Sequence, residues 1–189
     1  MNIVDVVLQL RTYATALGNR VAGVGDFVIG VESVTNLPMP AAFVYGLTDD
    51  AEASTDLNGL NQIVIERFAV TVIFDVTTGT LADSRTGFQG ANQVENMKEL
   101  IWSSILNWIP PSMVGKAARG IMYDSGELIT YDRSRLIWQF VFRMERTITD
   151  ADGFWQVPPD LDLIEATIAN PDTGATEMVV DIDTSGRAG

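Results

Sequence analysis

The sequence has no cysteine and no histidine among its 189 residues. The absence of cysteine excludes disulfide bonds and thiolate metal sites, and the absence of histidine removes the commonest general base and the commonest transition-metal ligand. Most hydrolase, metalloenzyme and redox mechanisms need one of these side chains. The sequence therefore predicts a protein that is not an enzyme, with no catalytic residues, no metal site and no cofactor.

Basic side chains are also scarce, with 12 Lys and Arg against 25 Asp and Glu, which gives a net charge of -13. Binding to nucleic acid through phosphate neutralisation needs clustered basic residues, so this composition argues against it. The acidic excess is uneven. Residues 1–147 carry 16 acids and 11 bases, whereas residues 148–189 carry nine acids and only Arg187. We predict a main domain over 1–147 and an acidic C-terminal arm over 148–189.

No run of about 18 apolar residues occurs, so no transmembrane helix is predicted. The first twenty residues contain Asp5 and no basic leader, which argues against a secretory signal, and we expect the chain to be made and used in a cytosol. The apolar content of 47% is ordinary for a globular protein.

Apolar residues recur at three- and four-residue spacing in two segments, which predicts helices over residues 2–17 and 91–108. The first ends at Gly18-Asn19, and the second is followed by Pro110 and Pro111, which we expect to end it. The second helix carries two tryptophans. We expect them at the core or its edge, with Trp102 as the alternative candidate for a subunit contact.

Four strands are predicted between and after the helices: Ala41 to Tyr45, Ile63 to Val76, 127–131 and 135–147. The second of them has the strongest strand pattern and is expected to be central and largely buried. Residues 48–62 and 112–126 are predicted to be loops. The predicted fold class is α+β, with a mostly antiparallel sheet, two main helices on one face and a C-terminal β-hairpin extension around the turn at 170–174.

Catalytic and ligand-binding motifs are absent or incomplete. The stretch PPSMVGKA has Pro110 and Ala117 where a phosphate loop needs glycine and a hydroxyl residue, and GVGDFVIG lacks the third glycine of a dinucleotide site. The pairs Asp150/Asp152, Asp160/Asp162 and Asp181/Asp183 have no later Glu at the spacing of a calcium loop. We interpret these aspartates as a solvated acidic surface.

The order of segments is more informative than any motif. An N-terminal helix, LPMPAAFVYGL, the strand ERFAVTVIFDV, an amphipathic helix ending in LNWIPPS, and a late strand with Trp138, Phe140 and Phe142 together resemble the tail terminator (tail completion) proteins of bacteriophages. The resemblance covers about residues 1–147 and does not include the acidic segment that follows.

That resemblance implies a structural virion protein of the phage tail, assembled in the host cytoplasm as a homo-hexameric ring. The ring would cap the head-proximal end of the tail tube, end tube polymerisation and provide the surface for head–tail joining. Implied partners are other copies of the chain, the tail tube protein, the head-tail connector or neck proteins, and a tape-measure or sheath protein. DNA would pass through the lumen without sequence-specific binding, and no membrane is involved.

Two alternatives remain open from the sequence: a head-tail connector or tail-tube subunit, and a hydrolase that works through carboxylates. Under the terminator interpretation we expect contacts from the loop at 48–62, the connection at 79–92 and the acidic arm. The candidate interface residues are Asp49, Asp50, Asp56, Asn58, Arg85, Phe88, Trp102, Phe154 and Trp155.

Overall fold

The structure, a computed structural model, describes residues 1–23, 38–56, 59–77, 88–131, 134–154, 163–169 and 176–183. It contains two compact units, Met1–Gly153 and Phe154–Gly189.

The first unit is built on a five-stranded sheet with the strand order β1-β2-β3-β5-β4. The pairing of β1 with β2 is parallel and the other three pairings are antiparallel, so the predicted α+β fold with a mostly antiparallel sheet is confirmed. The elements are α1 (Ile3–Tyr13), β1 (Val21–Gly23), β2 (Ala41–Ala51), β3 (Asn61–Asp75), α2 (Phe88–Ile105), β4 (Met122–Tyr131) and β5 (Arg135–Thr149).

Strand β3 is central and largely buried, as the sequence predicts. Its residues 68–74 are buried on both faces, whereas over residues 61–67 only the face with Val64 and Glu66 is buried. Because side chains alternate along a strand, one set faces the helices and the other faces away. Phe68, Val70 and Val72 join the main core with both helices. Ile73 belongs to a smaller cluster on the opposite face, together with Ala41 and Phe43 of β2.

Helix α1 is shorter than predicted, ending at Tyr13 rather than at residue 17. Asn2 caps its start, since its side-chain oxygen accepts a hydrogen bond from the Val4 amide at 3.1 Å. At Ala14 the backbone leaves the helical conformation, with ψ at 70°. Tighter turns then continue the chain and still bury Leu17 completely. Apolar spacing cannot separate such turns from a helix.

Helix α2 ends at Ile105, three residues before the predicted end at 108, and the prolines do not end it. Asn107 takes a left-handed conformation (φ 60°), and its amide donates to the carbonyl of Ile121 at 2.8 Å. Asparagine tolerates this conformation better than most residues. The turn also needs Gly120, since a Cβ there would lie 2.7 Å from the backbone of Asn107.

We predict that Gly120→Ala lowers the free energy of unfolding by about 2 kcal/mol, because the added methyl must displace backbone rather than a flexible side chain. Urea unfolding followed by circular dichroism measures the change. Gly46→Ala is the matched control, since a Cβ at Gly46 meets nothing within 4 Å. Equal stability of the two variants would contradict the close approach at Asn107.

Strand β2 runs to Ala51 and so includes the first part of the predicted 48–62 loop. A register shift between Gly46 and Asp49 lets the strand continue beside β3 in spite of its charged residues. The predicted 112–126 loop is also shorter. A 3₁₀ turn occupies Pro111–Met113, and β4 begins at Met122.

The second unit contains the strands β6 (Leu163–Ala169) and β7 (Thr176–Asp183), which pair antiparallel. The turn predicted at 170–174 lies outside the described residues.

Candidate interaction surfaces

The polar end of the sheet is where β2 ends and β3 begins, and it carries two of the candidate interface residues. Asp49 and Asp50 are exposed on β2 rather than in a loop. Asp50 is ion-paired with Arg67 of β3, and Asp124 of β4 lies 3.8 Å from the same guanidinium. The hydrogen bond from Arg67 to Asp50 raises the arginine pKa above its usual value.

A second arginine stands directly beside this cluster, because Arg143 of β5 is the cross-strand partner of Arg67. Like charges at opposed positions on neighbouring strands repel each other. Asp50 and Asp124 supply two negative charges to offset the two positive ones. The cluster is therefore a balanced part of the sheet surface, and Asp50 already has a partner within its own chain.

The loop after β2 is short and held at several points. The Glu52 amide donates to the carbonyl of Ile63 at 2.9 Å, and the Leu60 amide donates to Asp150 Oδ1 at 2.8 Å. Asp56 is exposed in this loop. Asn58 lies outside the described residues, as does Arg85 in the predicted 79–92 connection.

Asp150 and Asp152 have structural roles at the start of a 3₁₀ turn, Asp150–Asp152. Asp150 holds the loop described above, and Asp152 Oδ2 accepts a hydrogen bond from the Thr149 amide at 3.0 Å. Within the described parts of the chain, no cluster of three or more carboxylates could hold a metal ion. In those same parts, no helix is both long enough and apolar enough to cross a membrane.

Trp102 packs at the edge of the core, where the sequence predicts the tryptophans. Its ring contacts Tyr123 edge-on at 4.9 Å between centroids, and Lys98 Nζ lies 5.3 Å from its ring centroid. Its indole Nε1 is buried without a hydrogen-bond partner among the described residues. Burial also raises the pKa of Tyr123. The part-buried ring thus makes its observed contacts with residues of its own chain.

The remaining candidates lie in different places. Phe88 is the first residue of α2. Phe154 is 94% exposed at the start of the second unit, and Trp155 lies outside the described residues. The described candidates are therefore spread over several surfaces and do not form one site.

A buried ion pair was missed by sequence reasoning. Glu66 is 7% exposed on the helix side of β3, where it pairs with the amino group of Met1 and with Arg146 of β5. Arg146 Nε lies 2.8 Å from Glu66 Oε1, although its N–H direction does not give a well-aligned hydrogen bond. The only sequence signal is one Glu inside an otherwise apolar strand.

Comparison with known proteins decides the family. The sequence profile described as phage tail terminator protein matches residues 2–152, which is most of the chain. The chain belongs to the phage tail terminator family. It is accordingly a structural protein of the phage tail and, as such, part of the virion.

The other comparisons add little to the family assignment. A solved structure titled "Virion of native gene transfer agent (GTA) particle" is 15% identical, with a TM-score of 0.46, and the alignment covers 75% of this chain and 91% of that chain. No curated protein sequence matches this chain.

The surfaces of this protein that sequence reasoning missed are apolar. Large hydrophobic side chains are more than half exposed on α1 and at the 3₁₀ turn, and about half exposed on β4. Exposed apolar groups that cluster commonly mark protein contacts. They are Val4, Leu8 and Tyr13 on α1, Val114 directly after the turn at Pro111–Met113, and Leu128, Ile129 and Tyr131 on β4.

Proposed function

We propose that this terminator assembles as a homo-hexameric ring on the head-proximal end of the tail tube, where it ends tube polymerisation and provides the surface for head joining. The observation that carries the proposal is the family match over residues 2–152. The partners in this role are the tail tube protein, the head-tail connector or neck proteins, and a tape-measure or sheath protein.

The composition supports a role that depends on contacts and not on catalysis. A ring subunit needs neither of the two residue types that the sequence lacks, and no metal-binding cluster occurs in the described ranges. Negative charge suits a ring through which DNA slides, because repulsion between carboxylates and phosphates prevents sticking. The net charge of -13 has the sign that this repulsion requires.

We also propose that residues 148–189 form an acidic arm that contacts a neighbouring virion protein. Nine of the 25 acids lie in this segment, and Phe154 near its start is almost fully exposed. An exposed aromatic beside a negative segment fits a partner surface that combines an apolar pocket with basic residues.

The test of the proposed function is deletion of this gene in the phage or prophage that carries it, followed by measurement of tail lengths by negative-stain electron microscopy. We expect overlong, headless tails beside filled heads, because nothing stops tube growth. The control is the same deletion supplied with the intact gene in trans, which should restore tails of uniform length.

Two other results would contradict the proposal. Absence of tails would indicate a tube subunit, because a tube cannot form without its own protein. Tails of normal length beside unjoined heads would indicate a head-tail connector.

A further inference from the structure

Two different apolar surfaces lie at opposite edges of the sheet. Helices α1 and α2 contact each other. Helix α1 also contacts β1 and β2, the strands at one edge, whereas α2 contacts β5, which pairs with the opposite edge strand β4. Each helix therefore brings a separate exposed surface to its own edge. The two surfaces of one chain therefore cannot contact each other, and a contact between them needs a second copy of the chain.

The first surface is the α1 stripe, formed by Val4, Leu8 and Arg11. Spacings of four and three residues place these side chains on one side of the helix. The core side of α1 is occupied by Val6, Val7 and Leu10, which are buried. Val4 and Leu8 are 57% and 54% exposed, so α1 has a second apolar side in addition to the one it buries.

The second surface is the α2–β4 groove, a cavity of about 290 Å³ between helix α2 and the end of the sheet. Leu128 of the edge strand is 51% exposed and forms one wall. The other lining residues are mainly apolar and include Val94, Glu95, Tyr131, Leu136 and Trp138.

The charges of the two surfaces are opposite in sign. Arg11 ends the α1 stripe, its Nε donates to the Val21 carbonyl at 2.8 Å, and it has no carboxylate partner among the described residues. At the groove, Glu95 and Glu99 lie one turn apart on α2 and are both exposed. Lys98 is ion-paired with Glu95, so the three side chains together carry one negative charge that is not offset. An arginine arriving at the groove would therefore meet a local excess of negative charge.

We propose that the α1 stripe of one copy docks in the α2–β4 groove of the next copy. The contact is a helix in an apolar groove, with Val4 and Leu8 as anchors and Arg11 beside Glu95. Because the two surfaces differ, each copy uses its stripe on one neighbour and its groove on the other. Such a head-to-tail contact forms a ring when the rotation between neighbouring copies closes, as the proposed hexamer requires. The inference rests on the proposed ring and assigns its subunit interface.

The test uses the full-length chain and three aspartate variants. Leu8→Asp damages the stripe, Leu128→Asp damages the groove, and Leu47→Asp is the control, since Leu47 is an exposed leucine of β2 outside both surfaces. Native mass spectrometry over micromolar to millimolar concentrations gives the oligomeric state, and circular dichroism confirms that each variant is folded. We expect closed rings for the wild type and for Leu47→Asp, and monomers for the other two variants.

Mixing the two monomeric variants gives the sharpest result. The Leu8→Asp chain keeps an intact groove and the Leu128→Asp chain keeps an intact stripe, so the mixture should form 1:1 dimers and no rings. A charge exchange provides a second test that leaves the apolar anchors intact. Arg11→Glu and Glu95→Arg should each weaken ring formation by about tenfold, and the chain carrying both should recover it, since each contact again joins opposite charges.

The outcomes separate this inference from the proposed function. Wild-type-like rings from both aspartate variants, a mixture without dimers, or a wild-type chain that stays monomeric over the whole range would overturn the docking. Tail lengths after gene deletion test the function independently. Normal tails after deletion, together with the expected dimers, would leave the docking intact and reject the terminator role.

Discussion

Replacing Phe142 with alanine is expected to lower the free energy of unfolding by about 4 kcal/mol. The side chain is completely buried on β5. Its ring stacks on Phe68 at 5.4 Å between centroids and meets Tyr123 edge-on at 5.5 Å. Truncation therefore opens a cavity and also removes two aromatic contacts, each of which adds about 1 kcal/mol beyond the burial of area.

The position of Phe142 explains why the effect should be large. Phe68, Phe142, Tyr123 and Trp102 form a continuous series of ring contacts that joins β3, β5 and β4 to helix α2. Removing the second member separates β3 from the remainder of the series. The substitution is therefore expected to disturb the packing of α2 as well as that of the strands.

Urea unfolding followed by far-ultraviolet circular dichroism measures the change for Phe142→Ala. Phe142→Leu is the matched control, because it keeps most of the apolar volume while removing the ring, and it should cost about 1.5 kcal/mol. A loss below about 1 kcal/mol for the alanine variant would show that these ring contacts contribute little to the fold.

Replacing Glu66 with alanine is expected to cost about 3 to 5 kcal/mol, because it leaves buried positive groups without their counter-charge. Both cationic partners of this carboxylate lie at least partly inside the protein. The Met1 side chain is 3% exposed and the Arg146 side chain is 25% exposed. Neither cation can recover full hydration without a local change in structure.

A surface ion pair provides the control for Glu66. Glu145 pairs with Arg119 at 3.1 Å, but the Arg119 side chain is 76% exposed, so Glu145→Ala should cost less than about 1 kcal/mol. The double variant Glu66→Ala with Arg146→Met should lose less stability than the sum of its single variants, because it removes a charge together with its partner. Additive losses would show that the two residues do not interact.

The central part of the fold could be predicted because its signals are local. Strand β3 is marked by a nearly continuous apolar and β-branched run, and α2 by a broad apolar stripe. Where backbone conformation decided the outcome, the predictions were wrong. Ala14 ends α1 and Asn107 ends α2, and apolar spacing contains no information about either. Pro110 and Pro111 predicted a helix end at residue 108, whereas α2 ends at Ile105.

The predictions of contact residues were limited for a different reason. Asp50 is a typical surface charge in the sequence, yet it is already paired with Arg67, which is 17 positions away. Glu66 and Arg146 lie 80 positions apart, and only the pairing of β3 with β5 brings them together. The exposed apolar side of α1 was not predicted, because the three- and four-residue spacing that indicates the helix does not include Val4 and Leu8.

Strand β4 has a consequence for how copies of the chain can meet. It is an edge strand with exposed Leu128 and Ile129, and such edges commonly recruit a further strand and lead to fibres. Its register shifts between Tyr123 and Ser125 and again between Leu128 and Thr130, which bends the edge and interrupts its row of backbone donors and acceptors. The edge is thereby a poor template for amyloid-like growth. We expect concentrated solutions of the protein to resist fibre formation while the side chains of β4 stay accessible to specific partners.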